Sequence, residues 1–266
     1  VKEYLDIMDH RKTEQLIDTL DKVEQNRKEC YIREFSIEHF HDSKVFETLI
    51  PKICKIFREE NEELTGFENE EILAEYQIYK TPGYVYMKGN VQIYSAGKQA
   101  VDISAFPEGI AVAVGSEEDV PDICPDQTID KVFTIENLTS FYRFKQEHSL
   151  VIYLGGYHDR SRRNLLMQIY QKLPDAQYYH FGDLDAGGFY ILEHLKRKTG
   201  IPFQMFQMDI ETLKKYEDYA KPLTENDKKR LMQLEKMELP DEERKLITYM
   251  LQKGIKLEQE CISESQ

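Results

Sequence analysis

The stretch YYHFGDLDAGGFYILEHL, residues 178–195, contains the pattern that decides the fold. It opens with a strand-like run, continues through two aspartates and two glycines, and closes with apolar residues at helical spacing. Asp183 and Asp185 therefore lie between a predicted strand and a predicted helix. Three interpretations of this pair compete: a calcium-binding loop, a helix start that binds nothing, and a divalent-metal site for phosphate chemistry.

The calcium-binding loop fails on its spacing. An EF-hand loop that begins at Asp183 needs an oxygen ligand at its fifth position and a glutamate at its twelfth. Gly187 and His194 occupy those positions, and Glu193 comes one residue too early. Because the segment before Asp183 is also strand-like rather than helical, this interpretation is excluded.

Strand-like and helix-like segments alternate around this stretch. The strand-like segments are KVFTIEN, LVIYLGG, QYYHFGD and FQMFQMD, and a helix-like segment separates each from the next. This alternation predicts an α/β fold with a parallel sheet and crossover helices. We therefore predict a Rossmann-like domain over residues 126–220 and a helical tail over residues 221–266 that packs on it.

Three acidic residues follow strands of this predicted sheet, namely Glu136, Asp183 and Asp185. Ligands of open parallel sheets bind at the carboxyl ends of the strands. Carboxylates gathered there repel one another unless a cation joins them, and oxygen ligands of this kind suit Mg²⁺ or Mn²⁺. The pattern predicts a metal site, with a helix N-cap and a tight glycine turn as the alternative that stays open.

The first half of the chain has a different organisation. Residues 1–28 predict a polar helix, and because the chain does not begin with Met, we expect this helix to end a longer upstream region. The next segments are one amphipathic helix and a β-rich stretch with several turns, which predict a winged-helix-like domain over residues 29–125. The acidic, proline-bearing residues 115–130 are predicted to be a linker. The two domains together predict α+β architecture overall.

Composition limits the function classes. The chain has 49 acidic and 35 basic residues and a net charge of −14, which by itself disfavours DNA binding but is compatible with a local basic groove. No apolar run approaches membrane-spanning length, and the four cysteines are far apart and lack metal-binding spacing. We expect a cytoplasmic protein with no disulfide framework and no membrane partner.

An ordered set of motifs extends beyond the aspartate pair. REFSIEHFHDSKVFETLI comes first, a β-rich segment ending in IAVAV follows, and FTIENLTSF, YLGGYHDRSRRNLL and GDLDAGGFYIL complete the set. A glutamate followed by DxD resembles the Toprim domain of topoisomerases and primases. The order of the set resembles the topoisomerase VI A subunit and its meiotic double-strand-break relatives. DSKVFE, IENLTSF, GDLDAGGF and IKLEQE are similar to the JetD family, the nuclease subunits of Wadjet anti-plasmid systems.

This resemblance, which covers residues 30–262, has specific implications. It implies a winged-helix domain followed by a Toprim domain, in a DNA endonuclease that cleaves closed circular plasmid DNA. It implies that Glu136, Asp183 and Asp185 are catalytic and hold one or two Mg²⁺ or Mn²⁺ ions. It also implies a homodimer that works with a condensin-like SMC and kleisin assembly, similar to JetABC.

The sequence departs from topoisomerase VI at the nucleophilic tyrosine. Those relatives carry a tyrosine just after an Arg-acid pair, whereas Arg33-Glu34 is followed here by Phe35, Ser36 and Ile37. We therefore expect hydrolysis by metal-activated water rather than a covalent phosphotyrosine intermediate. A tyrosine-dependent strand cleaver and a non-catalytic DNA-binding assembly module are the alternatives.

Several basic residues near the predicted domains are candidates for DNA contacts: Lys44, Arg160, Arg162 and Arg163. The three arginines begin a helix that follows a strand, so they are expected near the carboxyl edge of the sheet. The basic run at residues 196–198 has a simpler explanation, because cations are favourable at a helix C-terminus. We expect His158 and His180 to be structural.

Overall fold

The computed structural model of the chain describes residues 10–61, 64, 67–80, 83–94, 100–114, 121–155 and 160–262. The chain forms two compact units that divide between Gly83 and Tyr84.

The first unit is mainly helical. Its described elements are α1 (His10–Gln25), β1 (Cys30–Tyr31), α2 (Ile32–Phe40), α3 (Val45–Glu60), α4 (Asn69–Glu75) and β2 (Ile78–Tyr79). The helix predicted from apolar spacing at α3 is confirmed, and Phe46, Ile53 and Ile56 are its buried face. β1 and β2 form a short parallel pair. Of the predicted first helix, residues 1–9 lie outside the described part.

A six-stranded sheet organises the second unit. Its strands, in spatial order, are β11 (Gln204–Met205), β10 (Gln177–Phe181), β8 (Lys131–Ile135), β9 (Ser149–Tyr153), β3 (Gly83–Lys88) and β6 (Ile110–Val114). The first four are parallel, and β3 is antiparallel to β9. The predicted mixed α/β fold with a parallel sheet is therefore confirmed, and the sheet extends further than the sequence indicated.

Alternate residues of the central strands face two cores, as the period of a β-strand requires. Val132 and Leu150 lie in one buried cluster, whereas Phe133 and Val151 lie in the other. The described helices of this unit are α5 (Leu138–Arg143), α6 (Arg160–Lys172), α7 (Ala186–Thr199), α8 (Ile210–Lys215), α9 (Glu225–Leu234) and α10 (Asp241–Lys253). Side chains of α6 and α7 contribute to the first cluster, and side chains of α5, α7, α8, α9 and α10 contribute to the second.

Part of the predicted linker forms one strand of a smaller sheet. This sheet consists of β4 (Val91–Tyr94), β5 (Val101–Asp102) and β7 (Asp122–Pro125). The linker prediction is wrong for residues 122–125, because Ile123 is buried and its amide donates to Gln168 Oε1 at 2.8 Å. Residues 115–120 of the predicted linker lie outside the described part of the chain.

The compact units do not divide at the predicted domain boundary between residues 125 and 126. They divide between Gly83 and Tyr84, because β3 and β6 belong to the six-stranded sheet. The helices of the predicted winged-helix-like domain, with the short β1–β2 pair, therefore fall in one unit, and β4 to β7 fall in the other. The winged-helix assignment is not confirmed.

The helical tail contributes to the second core. Leu231 of α9 and Ile247 of α10 are buried in the cluster that contains Phe133. β12 (Lys221–Pro222) precedes these helices in sequence and β13 (Ile255–Lys256) follows them, and the two strands pair in an antiparallel ladder. Among the helices that the structure describes, none is long and apolar enough to cross a membrane.

Candidate active site

The carboxyl edge of the parallel sheet brings Glu136 next to the aspartate pair. Glu136 follows β8, and Asp183 lies just beyond β10, its parallel neighbour, in which Phe181 pairs with Ile135. The amide of Glu136 donates to the carbonyl of Phe181 at 3.0 Å. The amide of Asp183 donates to Glu136 Oε2 at 3.2 Å. These two bonds hold the strand ends, and with them two acidic residues, against each other.

Asp185 begins the next helix. Its Oδ1 accepts a hydrogen bond from the amide of Gly188 at 2.9 Å, which makes it the N-cap of α7. The N-cap interpretation of Asp185 is therefore confirmed. The charge of Asp185 also raises the pKa of Asp183, so the two carboxylates lie close enough to interact. Because a carboxylate has two oxygens, the cap is compatible with a ligand role for the same residue.

Two glycines permit this close approach. A Cβ on Gly182 would lie 2.6 Å from Glu136 Oε2 and 2.8 Å from His180 Nε2. A Cβ on Gly188 would lie 2.2 Å from the carbonyl oxygen of Asp183. A larger residue at 182 would displace the Glu136 carboxylate, and one at 188 would push the first turn of α7 away from the Asp183 backbone.

The segment after β13 packs against the aspartates. Leu184 and Leu257 exchange two backbone hydrogen bonds, at 2.9 and 3.1 Å. The amide of Gln259 donates to Asp183 Oδ1 at 2.7 Å. No local pattern predicted a role in the site for this segment, and its one signal was the similarity of IKLEQE to the JetD family.

Asp183 has a strongly shifted pKa. Burial raises the pKa of its carboxyl from an ordinary 3.8 to about 6. The Gln259 amide opposes this rise, whereas the charges of Asp185, Glu260 and Glu258 add to it. Ionised carboxylates therefore crowd one another here, and a cation would relieve their repulsion.

The site fits a hydrated hard cation. Its donors are carboxylate oxygens, the ligand type that Mg²⁺ and Mn²⁺ prefer. Within the described ranges, no three His, Cys, Asp or Glu side chains are close enough to form a complete ligand cage. Mg²⁺ usually keeps several waters and binds through one or two carboxylates. Glu136 and Asp183 fit that requirement as protein ligands, with Asp185 beside them.

The predicted DNA contacts fall in both units. Lys44 is exposed at the N-cap of α3, in the first unit. In the second unit, Arg162 is half-buried and its Nη2 donates to the carbonyl of Tyr84 at 3.2 Å. Arg163 is only 8% exposed, so little of it faces solvent. The side chain of Arg160 lies outside the described part, and the four DNA contacts stay predictions.

His180 is buried and uncharged. Its Nδ1 lies 3.0 Å from Thr134 Oγ1. Burial, together with the charge of Lys196, lowers its pKa to about 3. A neutral, buried ring that contacts a neighbouring strand agrees with the structural role predicted for it. His158 lies outside the described residues.

A groove of about 900 Å³ lies beside the carboxylate edge, lined in part by Phe181 and Glu260. Its charged lining residues are Arg143, Lys145, Lys215, Glu108 and Glu260. Cations thus outnumber anions in this groove, although the whole chain carries a net charge of −14. The excess is a single charge, so the groove is less acidic than the chain as a whole rather than strongly basic.

The raised pKa of Asp183 predicts a pH-dependent change in stability. A carboxyl whose pKa is higher in the folded than in the unfolded state stabilises the fold fully below its unfolded pKa. That stability is lost as the pH rises through the folded pKa of about 6. We expect Asp183→Asn to raise the free energy of unfolding of the metal-free protein by on the order of 2 kcal/mol at about pH 8, with little effect at about pH 4.

Denaturant unfolding with a chelator present, at both pH values, measures this effect. Asparagine keeps an oxygen for the Gln259 amide and removes only the charge. Asp175→Asn is the control, because Asp175 is exposed in the turn before β10. If Asp183→Asn and the wild type were equally stable at the higher pH, the burial of an ionised Asp183 would not carry the cost assigned to it.

These observations define a class: a mixed α/β protein with acidic side chains gathered at the carboxyl edge of a parallel sheet. Residues 119–266 match the family described as Wadjet protein JetD, C-terminal. This match covers more than half of the chain, and the chain belongs to that family. The similarity to JetD predicted from the sequence is confirmed.

One curated relative extends the comparison to nearly the whole chain. The chain is 28% identical to the Wadjet protein JetD of Bacillus cereus (strain Q1) over 263 residues. The alignment covers 97% of this chain and 63% of the relative. The chain thus spans less than two thirds of the length of the protein that it matches.

Proposed function

We propose that this chain is the nuclease part of a Wadjet system and that it cleaves closed circular plasmid DNA in a metal-dependent reaction. The observation that carries the proposal is the contact between Glu136 and the Asp183 backbone at one sheet edge. Membership in the JetD family supports a role in a Wadjet system. The resemblance of the glutamate and DxD pattern to Toprim domains supports phosphodiester hydrolysis.

The acidic side chains of the site would have different roles. Glu136 and Asp183 would bind the divalent cation, and Asp185 would add negative charge while it caps α7. A bound Mg²⁺ or Mn²⁺ supplies a charge that polarises the scissile phosphate and lowers the pKa of water. Glu136 would also carry the proton that the attacking water releases. Partial burial of the edge would strengthen these interactions, since charges act more strongly where there is less water.

An acidic nuclease needs help to reach DNA. With a net charge of −14, the chain has little long-range attraction for phosphates. We propose that a condensin-like SMC and kleisin assembly delivers the DNA and raises its local concentration at the site. A homodimer would present one site to each strand. The groove whose lining includes Arg143, Lys145 and Lys215 is a candidate surface for phosphate contacts.

We expect cleavage to leave DNA ends free of protein. The tyrosine of topoisomerase VI is missing after Arg33-Glu34. Ser36, which stands nearby, has no exposed surface, and its hydroxyl accepts a hydrogen bond from the Phe46 amide at 3.0 Å. A buried, bonded hydroxyl is a poor nucleophile without a base to activate it. Water activated by a cation needs no such side chain.

Whether protein stays attached to the DNA ends is measured by treating plasmid with the active assembly and denaturing the products without protease. Ends that ligate directly are the expected result. DNA that partitions with protein, and that is released when one tyrosine is mutated, would establish the tyrosine-dependent alternative instead.

The proposed metal site has its own test in crystals soaked with Mn²⁺. We expect anomalous density between Glu136 and Asp183, and no such density in crystals of Asp183→Asn grown and soaked in the same way. Wild-type crystals without density at this edge would favour a non-catalytic DNA-binding assembly module.

A further inference from the structure

Gln259 joins three parts of the site from a position with no exposed surface. Its Nε2 donates to the carbonyl of Phe181 at 3.0 Å, and its Oε1 accepts from the amide of Asn137 at 2.8 Å. Its backbone amide donates to Asp183 Oδ1 at 2.7 Å. One residue therefore contacts the end of β10, the residue directly after Glu136, and Asp183 itself.

Both polar atoms of the Gln259 side chain are used, one as donor and one as acceptor. A glutamine is the long side chain that offers both in a neutral group. A second link comes from its neighbour, because Glu260 Oε1 accepts from Asn137 Nδ2. Asn137 is in turn the N-cap of α5, where its Oδ1 accepts from the amides of Thr139 and Ser140. Residues 259 and 260 thus form hydrogen bonds with Asn137, the residue directly after Glu136, at two points.

We propose that Gln259 is a positioning residue that fixes the carboxylates of Glu136 and Asp183 for a shared divalent cation. The inference rests on the proposed function of this site. Its physical basis is orientation. The backbone amide of Gln259 restricts rotation of the Asp183 carboxylate. The Gln259 side chain contacts Phe181 at the end of β10 and Asn137 just after β8, next to the residues that carry the carboxylates. Partners that orient metal ligands in this way commonly change metal affinity by about 10- to 100-fold when they are removed.

The experiment is a titration of the purified chain with Mn²⁺, followed by the electron paramagnetic resonance signal of the free ion. Gln259→Met keeps the length of the side chain and removes both hydrogen-bonding atoms. We expect its Mn²⁺ dissociation constant to rise by about 10-fold or more. Gln168→Met is the matched control, because Gln168 Oε1 also accepts from a buried backbone amide, that of Ile123, but in the smaller sheet.

Thermal unfolding without metal separates positioning from general stability. We expect both methionine variants to lose similar stability, since each leaves a buried backbone amide without its partner. Only Gln259→Met should lose Mn²⁺ affinity. Equal dissociation constants for the two variants would overturn the positioning role. Should Gln259→Met not fold, Gln259→Asn withdraws the same two atoms by one carbon, and wild-type affinity in that variant would overturn the role equally.

Asp183→Asn distinguishes failure of this inference from failure of the proposed function. If Asp183→Asn binds Mn²⁺ as well as the wild type does, the metal site itself is wrong. If Asp183→Asn loses binding and Gln259→Met retains it, the site stands and Gln259 has no positioning role.

Discussion

Replacing Asp183 with asparagine is expected to lower the rate of metal-dependent plasmid cleavage by about a thousandfold, which corresponds to about 4 kcal/mol in activation free energy. The change removes the charge that is proposed to bind the cation but keeps an oxygen for the Gln259 backbone amide. Glu136→Gln should act in the same direction for the same reason. The measurement is the rate of plasmid linearisation by the assembled system with Mg²⁺, with circular dichroism to verify folding. Cleavage within about tenfold of wild type by Asp183→Asn would remove this edge from the mechanism.

A matched pair of N-caps separates the two roles of Asp185. Asp185 caps α7, and Asp209 caps α8 through a bond of 2.7 Å from the Thr212 amide. Asparagine is nearly as good an N-cap as aspartate, so both substitutions should preserve stability. We expect only Asp185→Asn to slow cleavage. Equal rates for both variants would mean that Asp185 serves the helix alone.

Gly188→Ala is expected to lower the free energy of unfolding by more than about 3 kcal/mol, because overpacking against a fixed backbone is among the most damaging single changes. The new methyl would sit 2.2 Å from the Asp183 carbonyl oxygen, and backbone on a strand end cannot move away as a flexible side chain can. Urea denaturation of the metal-free protein measures the loss. The same displacement should also weaken Mn²⁺ binding in any folded fraction.

Gly187→Ala is the control for that prediction, since it makes the same chemical change one residue earlier. Its methyl would lie 3.1 Å from Asp185 Oδ1, a side-chain atom that can yield. Alanine is also better than glycine within a helix by about 1 kcal/mol, which offsets part of the strain. We expect this variant to stay within about 1 kcal/mol of wild type. Similar losses for the two variants would contradict the steric account.

The parts of the fold that were predictable from the sequence are those set by local pattern. The strands before Glu136 and Asp183 are short segments rich in apolar and aromatic residues. The helix after Asp185 begins with an N-cap residue, and its apolar residues recur at helical spacing directly after the cap. Parallel strands with crossover helices meet at a common carboxyl edge, so adjacency of these acidic residues followed from topology. Nothing comparable fixed which strands β3 and β6 would join.

The parts that were missed depend on distant partners. Residues 122–125 carry the aspartate and proline typical of loops, yet Gln168, 45 residues away, fixes the Ile123 amide within a strand. Gln259 lies 76 residues from the aspartate that it contacts and 122 from Asn137. No window of local sequence contains both members of such pairs. Their register is a result of tertiary packing, which composition and periodicity do not encode.

The pairing of Leu184 with Leu257 has a consequence for the protein during its synthesis. A ribosome translates the carboxylates at 136, 183 and 185 well before it reaches Leu257 and Gln259. A nascent chain therefore holds Glu136, Asp183 and Asp185 while the segment that contacts them is still untranslated. Under the proposed function, competence to cut would therefore arise only late in translation, when that segment docks, and an incomplete chain would leave the DNA of its own cell intact.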